Sequence, residues 1–186
     1  MSFLNDIRTT TRKYVAQISN ANDRIKDFEK KGAMYSREYF QKERSKLEME
    51  KQDILNRGYS DIQALADAYK KKVQDADAFD GSKVTDDAKL LTGAFKLKSE
   101  DLEAMFDRAA ADRNRTMMRA VSDYVREHIQ EFAGFSRVFY TAADKMEAAD
   151  IMAQYARNAF SRPEYSDIMD SDRYFEQITP AAIKGE

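Results

Sequence analysis

Ser36 to Phe79 is a run of 44 residues with one glycine, Gly58, and no proline, and eight of the thirteen positions from Gln41 to Asp53 are charged. A segment this long, this charged and this poor in turn residues predicts a solvated helix rather than strands, which would need turns and a buried alternating face. At about 1.5 Å per residue the helix would be roughly 60–65 Å long, more than the width of a small domain. The rest of the chain must fold around that rod.

The residues before it predict its partner. Ile7, Thr11, Tyr14, Ile18, Ala21, Ile25 and Phe28 alternate spacings of four and three, the seam of an antiparallel hairpin or a coiled coil. Lys30 and Lys31 suit the end of a helix over 3–31, and Gly32 stands where a left-handed C-terminal cap is expected. Ser36 is placed to cap the next helix, and so short a connection favours antiparallel neighbours. Phe40, Leu47 and Ile54 then follow at strict seven-residue intervals, a thin apolar stripe. Ile62, Leu65, Tyr69, Val73 and Ala76 make a thicker one, which predicts burial against a larger body. Gly58 lies between the two, costs about 1 kcal/mol relative to alanine and predicts a bend.

After a polar break at 77–83, Thr85 is placed to cap a short helix through Leu91 that Gly93 ends. Ser99 is placed to cap a helix burying Leu102, Met105, Phe106 and Ala109, and Asn114 or Thr116 opens another along Met117 or Met118, Val121, Tyr124, Val125, His128 and Ile129, with Gly134 as its breaker. A last long helix, Thr141 to Phe160, would bury Met146, Ala149, Met152, Tyr155 and Ala159, with Pro163 as its stop. A short amphipathic piece around Tyr174, Phe175 and Ile178 precedes a frayed end. No segment alternates with period two. The expected fold is all-α: an N-terminal long antiparallel helical hairpin arm (1–79), a small helical bundle (83–162) and an acidic C-terminal tail (163–186), in which six acidic residues stand against two basic ones.

Composition narrows the function. Cysteine is absent, which excludes disulfides, thiol catalysis and Cys-based metal sites. No apolar run approaches the ~18 residues of a membrane span, and no signal-peptide core is present, so no membrane partner and a cytoplasmic location are expected. The net charge of −2 opposes wholesale attraction to nucleic acid. Asp75, Asp77, Asp80 and Gly81 miss calcium-loop spacing, because the required glycine position falls on Asp80. His128 has no second histidine for a zinc helix, and Val125 stands where a Glu-x-x-His pair needs glutamate. Glu100, Glu103 and Asp107, and again Asp144, Glu147 and Asp150, share helix faces as solvated carboxylates do. No catalytic residue, cofactor or metal ligand is therefore expected, and the chain reads as a non-enzyme.

Two binding surfaces are legible. Arg108, Arg113, Arg115, Arg119 and Arg126 fall in a helix–turn–helix-like stretch, 99–127, and are the candidate nucleic-acid contacts, with Asp112, Asp123 and Glu127 offsetting them. The larger signal is ten tyrosines, eleven phenylalanines and nine methionines in a chain without a cofactor motif. A hairpin has too little interior to bury Tyr14, Tyr35, Tyr39 and Tyr59 together. Tyr35, Tyr39, Phe40, Leu47 and Ile54 are the candidate partner-binding residues.

Three stretches carry a resemblance: Met1-Ser-Phe-Leu-Asn-Asp-Ile-Arg-Thr-Thr, Lys83-Val-Thr-Asp-Asp-Ala-Lys-Leu-Leu91, and Asn114-Arg-Thr-Met117 followed by Tyr124. They resemble small helical proteins encoded by tailed phages and prophages in the structural gene region. The resemblance implies a setting in the host-cell cytoplasm and two non-enzymatic roles. One is assembly or scaffolding, as a homo-oligomer touching itself or capsid protein. The other is inhibition of a host defence protein, in the manner of anti-CRISPR proteins.

Overall fold

The computed structural model describes residues 2–93 and 95–184, and among them there is helix and no strand. Seven α-helices follow one another: α1 Phe3–Lys30, α2 Arg37–Ala76, α3 Ser99–Ala111, α4 Arg115–Glu127, α5 Ala142–Ala159, α6 Pro163–Asp170 and α7 Asp172–Ile178. Short 3-10 turns occupy Gly32–Met34, Gly81–Lys83, Asp86–Thr92 and Ala181–Ile183. The all-α class is as expected, and α2, at 40 residues, is the long rod.

The division of the chain is not the expected one of 1–79, 83–162 and 163–186. One compact unit joins the residues up to Lys71 to those from Met146 onward, and the second is Lys72–Lys145. In the first unit α1 buries Phe3, Ile7, Thr11, Tyr14, Ile18, Ala21 and Ile25, the heptad seam up to Ile25. It runs antiparallel to α2: Phe3 stacks on Tyr69 at 4.4 Å, the Tyr14 hydroxyl donates to Asp61 Oδ2 at 2.6 Å, and Phe28 stacks on Phe40 at 5.1 Å. That hydrogen bond raises the Tyr14 pKa, with burial adding to it.

Helix α5 packs into this unit through small residues, with Ala148, Ala149, Ala153, Ala156 and Ala159 buried around Met152. Gly58 answers the same need. A Cβ there would lie 2.9 Å from Phe160 Cε2 and 3.1 Å from Tyr14 Cγ, so the glycine provides space for two rings. Close packing explains the glycine.

The acidic segment is not a free tail, and the end expected to fray after Pro180 forms a 3-10 turn that buries Ile183. Arg8 Nε donates to the Met169 carbonyl at 2.8 Å and Nη2 to the Asp170 carbonyl at 2.6 Å, while Nη1 lies 2.6 Å from Asp172 and the guanidinium covers the Phe175 ring. Arg12, one turn on, takes the Asp170 carbonyl and carboxylate, both at 2.6 Å. Two cations at the C-terminus of α6 satisfy its last carbonyls and oppose its dipole. Pro163, expected as a stop, is the first residue of α6, where its missing N–H costs nothing.

The second unit is built on Leu102, Met105, Phe106, Val121, Phe132 and Phe139, with Leu90, Leu91, Leu97 and Phe135 packed around them. Asn114 caps α4 by accepting from Met117 N–H at 3.1 Å, whereas α3 is capped through Lys98, whose N–H donates to Asp101, rather than by Ser99. Helix α4 ends at Glu127, before Gly134. Arg113, at φ 53°, takes the left-handed position after α3, and Asn114 N–H closes back on the Ala109 carbonyl at 2.8 Å. An arginine therefore does there what glycine usually does.

Candidate protein-docking site

The closed end of the α1–α2 hairpin is built by three local choices. Lys31 N–H donates to the Phe28 carbonyl at 3.1 Å and Met34 N–H to the Lys31 carbonyl at 2.9 Å, so the chain leaves α1 through a 3-10 turn. Gly32 is not left-handed, contrary to expectation: the glycines with positive φ among the described residues are limited to Gly93. Its role is spatial, since a Cβ would sit 3.0 Å from Phe40 Cε2. Ser36 then accepts from Tyr39 N–H at 3.3 Å, the expected cap of α2.

These turns bring four rings together. Phe28 stacks on Phe40 at 5.1 Å and on Tyr35 at 5.3 Å, and Tyr35 meets Tyr39 at 5.2 Å. Aromatic pairs at such spacings contribute about 0.5–1.5 kcal/mol each beyond burial, enough to hold the rings in place without a core beneath them. No residue from Lys26 to Arg57 is buried. Met34 is 81 % exposed, Tyr39 48 % and Tyr35 37 %. Salt bridges Arg24–Glu50 and Arg44–Glu29, both 2.9 Å, strap the arms. Lys30 donates to Asp27 at 2.8 Å, which holds the Asp27 carboxyl below and the Lys30 ammonium above their usual pKa ranges.

Of the five predicted partner residues, Tyr35, Tyr39 and Phe40 share this end. Leu47 and Ile54 lie along the seam, half-buried between the arms. Met34 belongs with the tyrosines and was not singled out, because a lone methionine in a turn carries no periodic signal. The site holds rings, a thioether and cations.

Four of the five arginines of 99–127 face a carboxylate. Arg108 Nη2 donates to Asp87 at 2.8 Å, and Arg115 Nη2 to Asp77 at 2.8 Å while its guanidinium covers Phe139. Arg119 and Arg126 share Asp123 at 3.6 and 3.2 Å, and Arg113 forms the α3–α4 turn. Phosphate binding draws on cations that release counterions, and four of these five already face a carboxylate. Arg115, at the start of α4 where a recognition helix meets bases, is spent on Asp77.

The polar clusters set aside on spacing are structural. Asp77 also accepts from Ala142 N–H at 3.1 Å, and Asp80 accepts from Ser82. Glu103 accepts from Ser136 N–H at 2.8 Å and Oγ–H at 2.6 Å, and Asp107 holds Arg137 through two 2.8 Å bonds. Both carboxyls are held below their usual range by those hydrogen bonds, and the Arg137 pKa is raised. Asp144 receives Thr141 N–H and Oγ–H, and Asp150 pairs with Lys70. His128 stacks on Tyr124 at 4.5 Å with Nδ1 2.9 Å from the Tyr124 carbonyl. Among the described residues no three His, Asp or Glu side chains are grouped to hold a metal ion, and no helix is long and apolar enough to cross a membrane.

The fold and this site define an all-α protein with an exposed aromatic hairpin end. Comparison with known proteins finds no matching family model, no matching curated protein and no matching solved structure.

Proposed function

We propose that this chain is a non-enzymatic interaction protein, acting in phage assembly in the host cytoplasm, whose α1–α2 hairpin end docks on a protein surface. The observation that carries this reading is the stacked set Phe28, Tyr35, Tyr39 and Phe40, with Met34 beside it, on a segment that buries nothing. Tyrosine supplies contact area at low entropic cost and methionine adapts to a partner's shape, and here the rings are already ordered. The exposed parts of Met34, Tyr35 and Tyr39 amount to roughly 300 Å² by ordinary side-chain areas. At about 25 cal/mol per Å² that is about 7 kcal/mol of gross burial. Association itself costs about 4–15 kcal/mol, so one such contact is weak and reversible, as assembly factors require.

The test is replacement of Tyr35 and Tyr39 by serine. Losing the Phe28–Tyr35 and Tyr35–Tyr39 pairs, about 0.5–1.5 kcal/mol each, is expected to lower Tm by about 2–12 °C while circular dichroism stays that of the folded chain. Sedimentation and cross-linking with capsid protein in phage-infected cells are expected to show at least a tenfold loss of association. Unchanged association with an intact fold would refute the reading.

A further inference from the structure

The reading of the hairpin end as a docking site leaves its partner open, and the charge of the chain narrows the choice. Between Lys26 and Lys46 seven basic residues stand against four acidic ones. Lys30 and Arg44 are tied to Asp27 and Glu29, whereas Lys31, Arg37 and Lys42 have no ion pair among the described residues. Two such ends repel each other, which disfavours a symmetric end-to-end dimer.

The opposite balance lies in the same unit. From Pro163 to Pro180 five acidic residues stand against one basic residue. Asp170 and Asp172 are taken by Arg12 and Arg8, while Glu164, Asp167 and Glu176 have no ion pair among the described residues. Tyr174 is exposed between Asp172 and Glu176. Ile151, Gln154, Tyr155, Asn158 and Tyr165 line a groove of about 210 Å³ between α5 and α6, and Asp167 lines the neighbouring one between α1 and α6. Tyr155 and Tyr165 stand 5.7 Å apart, and Arg162 covers the Tyr165 ring. A thioether beside aromatic rings is a favourable contact, and a flexible methionine fills such a groove without strain.

We infer that the hairpin end of one copy seats on the acidic C-terminal helices of a second copy, with Met34 entering the α5–α6 groove and Lys31, Arg37 and Lys42 facing Glu164, Asp167 and Glu176. This rests on the docking role proposed above. Donor and acceptor are different surfaces, so the contact is heterologous. Each copy gives one end and receives another, and the chains join head to tail into rings or open filaments. With one contact per added copy, open chains lengthen gradually with concentration, and only ring closure adds a second contact to the last copy.

Sedimentation velocity on the full chain tests this. The wild type is expected to grow with concentration from about 5 to 200 μM at low salt and to return to monomer near 0.5 M salt, where screening falls to a few ångströms. K31E/R37E/K42E and E164K/D167K/E176K are each expected to be monomeric, with circular dichroism matching the wild type. Mixed one to one, they are expected to regain wild-type assembly, because the reversed end fits the reversed face. E164Q/D167N/E176Q, which leaves the acidic face uncharged, is expected to weaken assembly at least tenfold without the risk of misfolding. A mixture that stays monomeric, or a wild type monomeric at 200 μM in low salt, overturns the inference, as does sedimentation with anionic vesicles in place of self-association. A monomeric wild type that binds capsid protein through Tyr35 and Tyr39 overturns it and leaves the docking role standing. Assembly that survives K31E/R37E/K42E overturns the inference, and the docking role falls with it only if capsid association also survives replacement of Tyr35 and Tyr39.

Discussion

Gly58→Ala is the most discriminating single substitution in the hairpin. In an ordinary helix the change stabilises by about 1 kcal/mol. Here the new methyl would stand 2.9 Å from Phe160 Cε2, 3.1 Å from Phe160 Cζ and 3.1 Å from Tyr14 Cγ. Neither ring moves freely. Tyr14 is tied through its hydroxyl to Asp61, and Phe160 is edged by both Tyr14 and Tyr59 at 6.0 and 5.4 Å. Overpacking a fixed core costs about 1–3 kcal/mol, and with both rings pinned the upper half of that range applies. The net expectation is a loss of about 1–2 kcal/mol, or about 3–6 °C in Tm for a chain of this size. Differential scanning calorimetry measures it. Phe160→Leu in the same background frees the space, and the double-mutant cycle is expected to show a favourable coupling of at least about 1 kcal/mol. A rise in Tm on Gly58→Ala would refute the close approach and return the glycine to a bend.

Two further outcomes follow from the clamps. Arg8→Ala removes two carbonyl bonds, an ion pair and the cover on Phe175. It is expected to destabilise by about 2–3 kcal/mol, the worth of charge-assisted hydrogen bonds, and limited trypsin digestion is expected to cut at Arg173 well before the rest of the chain. In the second unit the lowered pKa values of Glu103 and Asp107 mean that their stabilisation is complete above the ordinary carboxyl range, near pH 4, and is lost as pH falls through the folded values. Wild type and E103Q/D107N are expected to differ in Tm at pH 6, with the gap narrowing as pH falls below the ordinary carboxyl range; a gap that does not narrow in acid would refute the role of these two carboxylates.

The helices were legible because their signals are local. The alternation from Ile7 to Ile25 needs only its own period to declare a buried stripe, and α1 buries those residues. What a stripe packs against is not local. Ala149, Met152 and Ala159 announce a buried face on α5, yet nothing in that pattern says that it faces the hairpin rather than α3 and α4. The C-terminal segment misled for a related reason. Its carboxylates look solvated until Arg8 and Arg12, some 160 residues away, supply the cations. At the candidate site Tyr35 and Tyr39 could be named from the lack of interior, whereas Met34 depends on a turn whose geometry Gly32 and Phe40 decide together. The arginines of 99–127 were visible as residues, and their neutralisation by Asp77, Asp87 and Asp123 was visible only in part, as Arg119 with Asp123 one turn apart.

The first unit is discontinuous in sequence, with residues 72–145 inserted between its halves. That arrangement sets an order of events on the ribosome. The inserted unit draws its core from Leu90 to Phe139, so it can close as soon as those residues emerge. Arg8 and Arg12 must wait for Asp170, and at about 5–20 residues per second that delay is on the order of ten seconds or more. During the interval the N-terminal helices lack α5 and α6, and Ile7, Tyr14 and Ile18 lack part of their cover. The grooves and carboxylates of α5–α7 come last of all. The N-terminal half of this unit therefore completes its packing only when synthesis of the chain is nearly over.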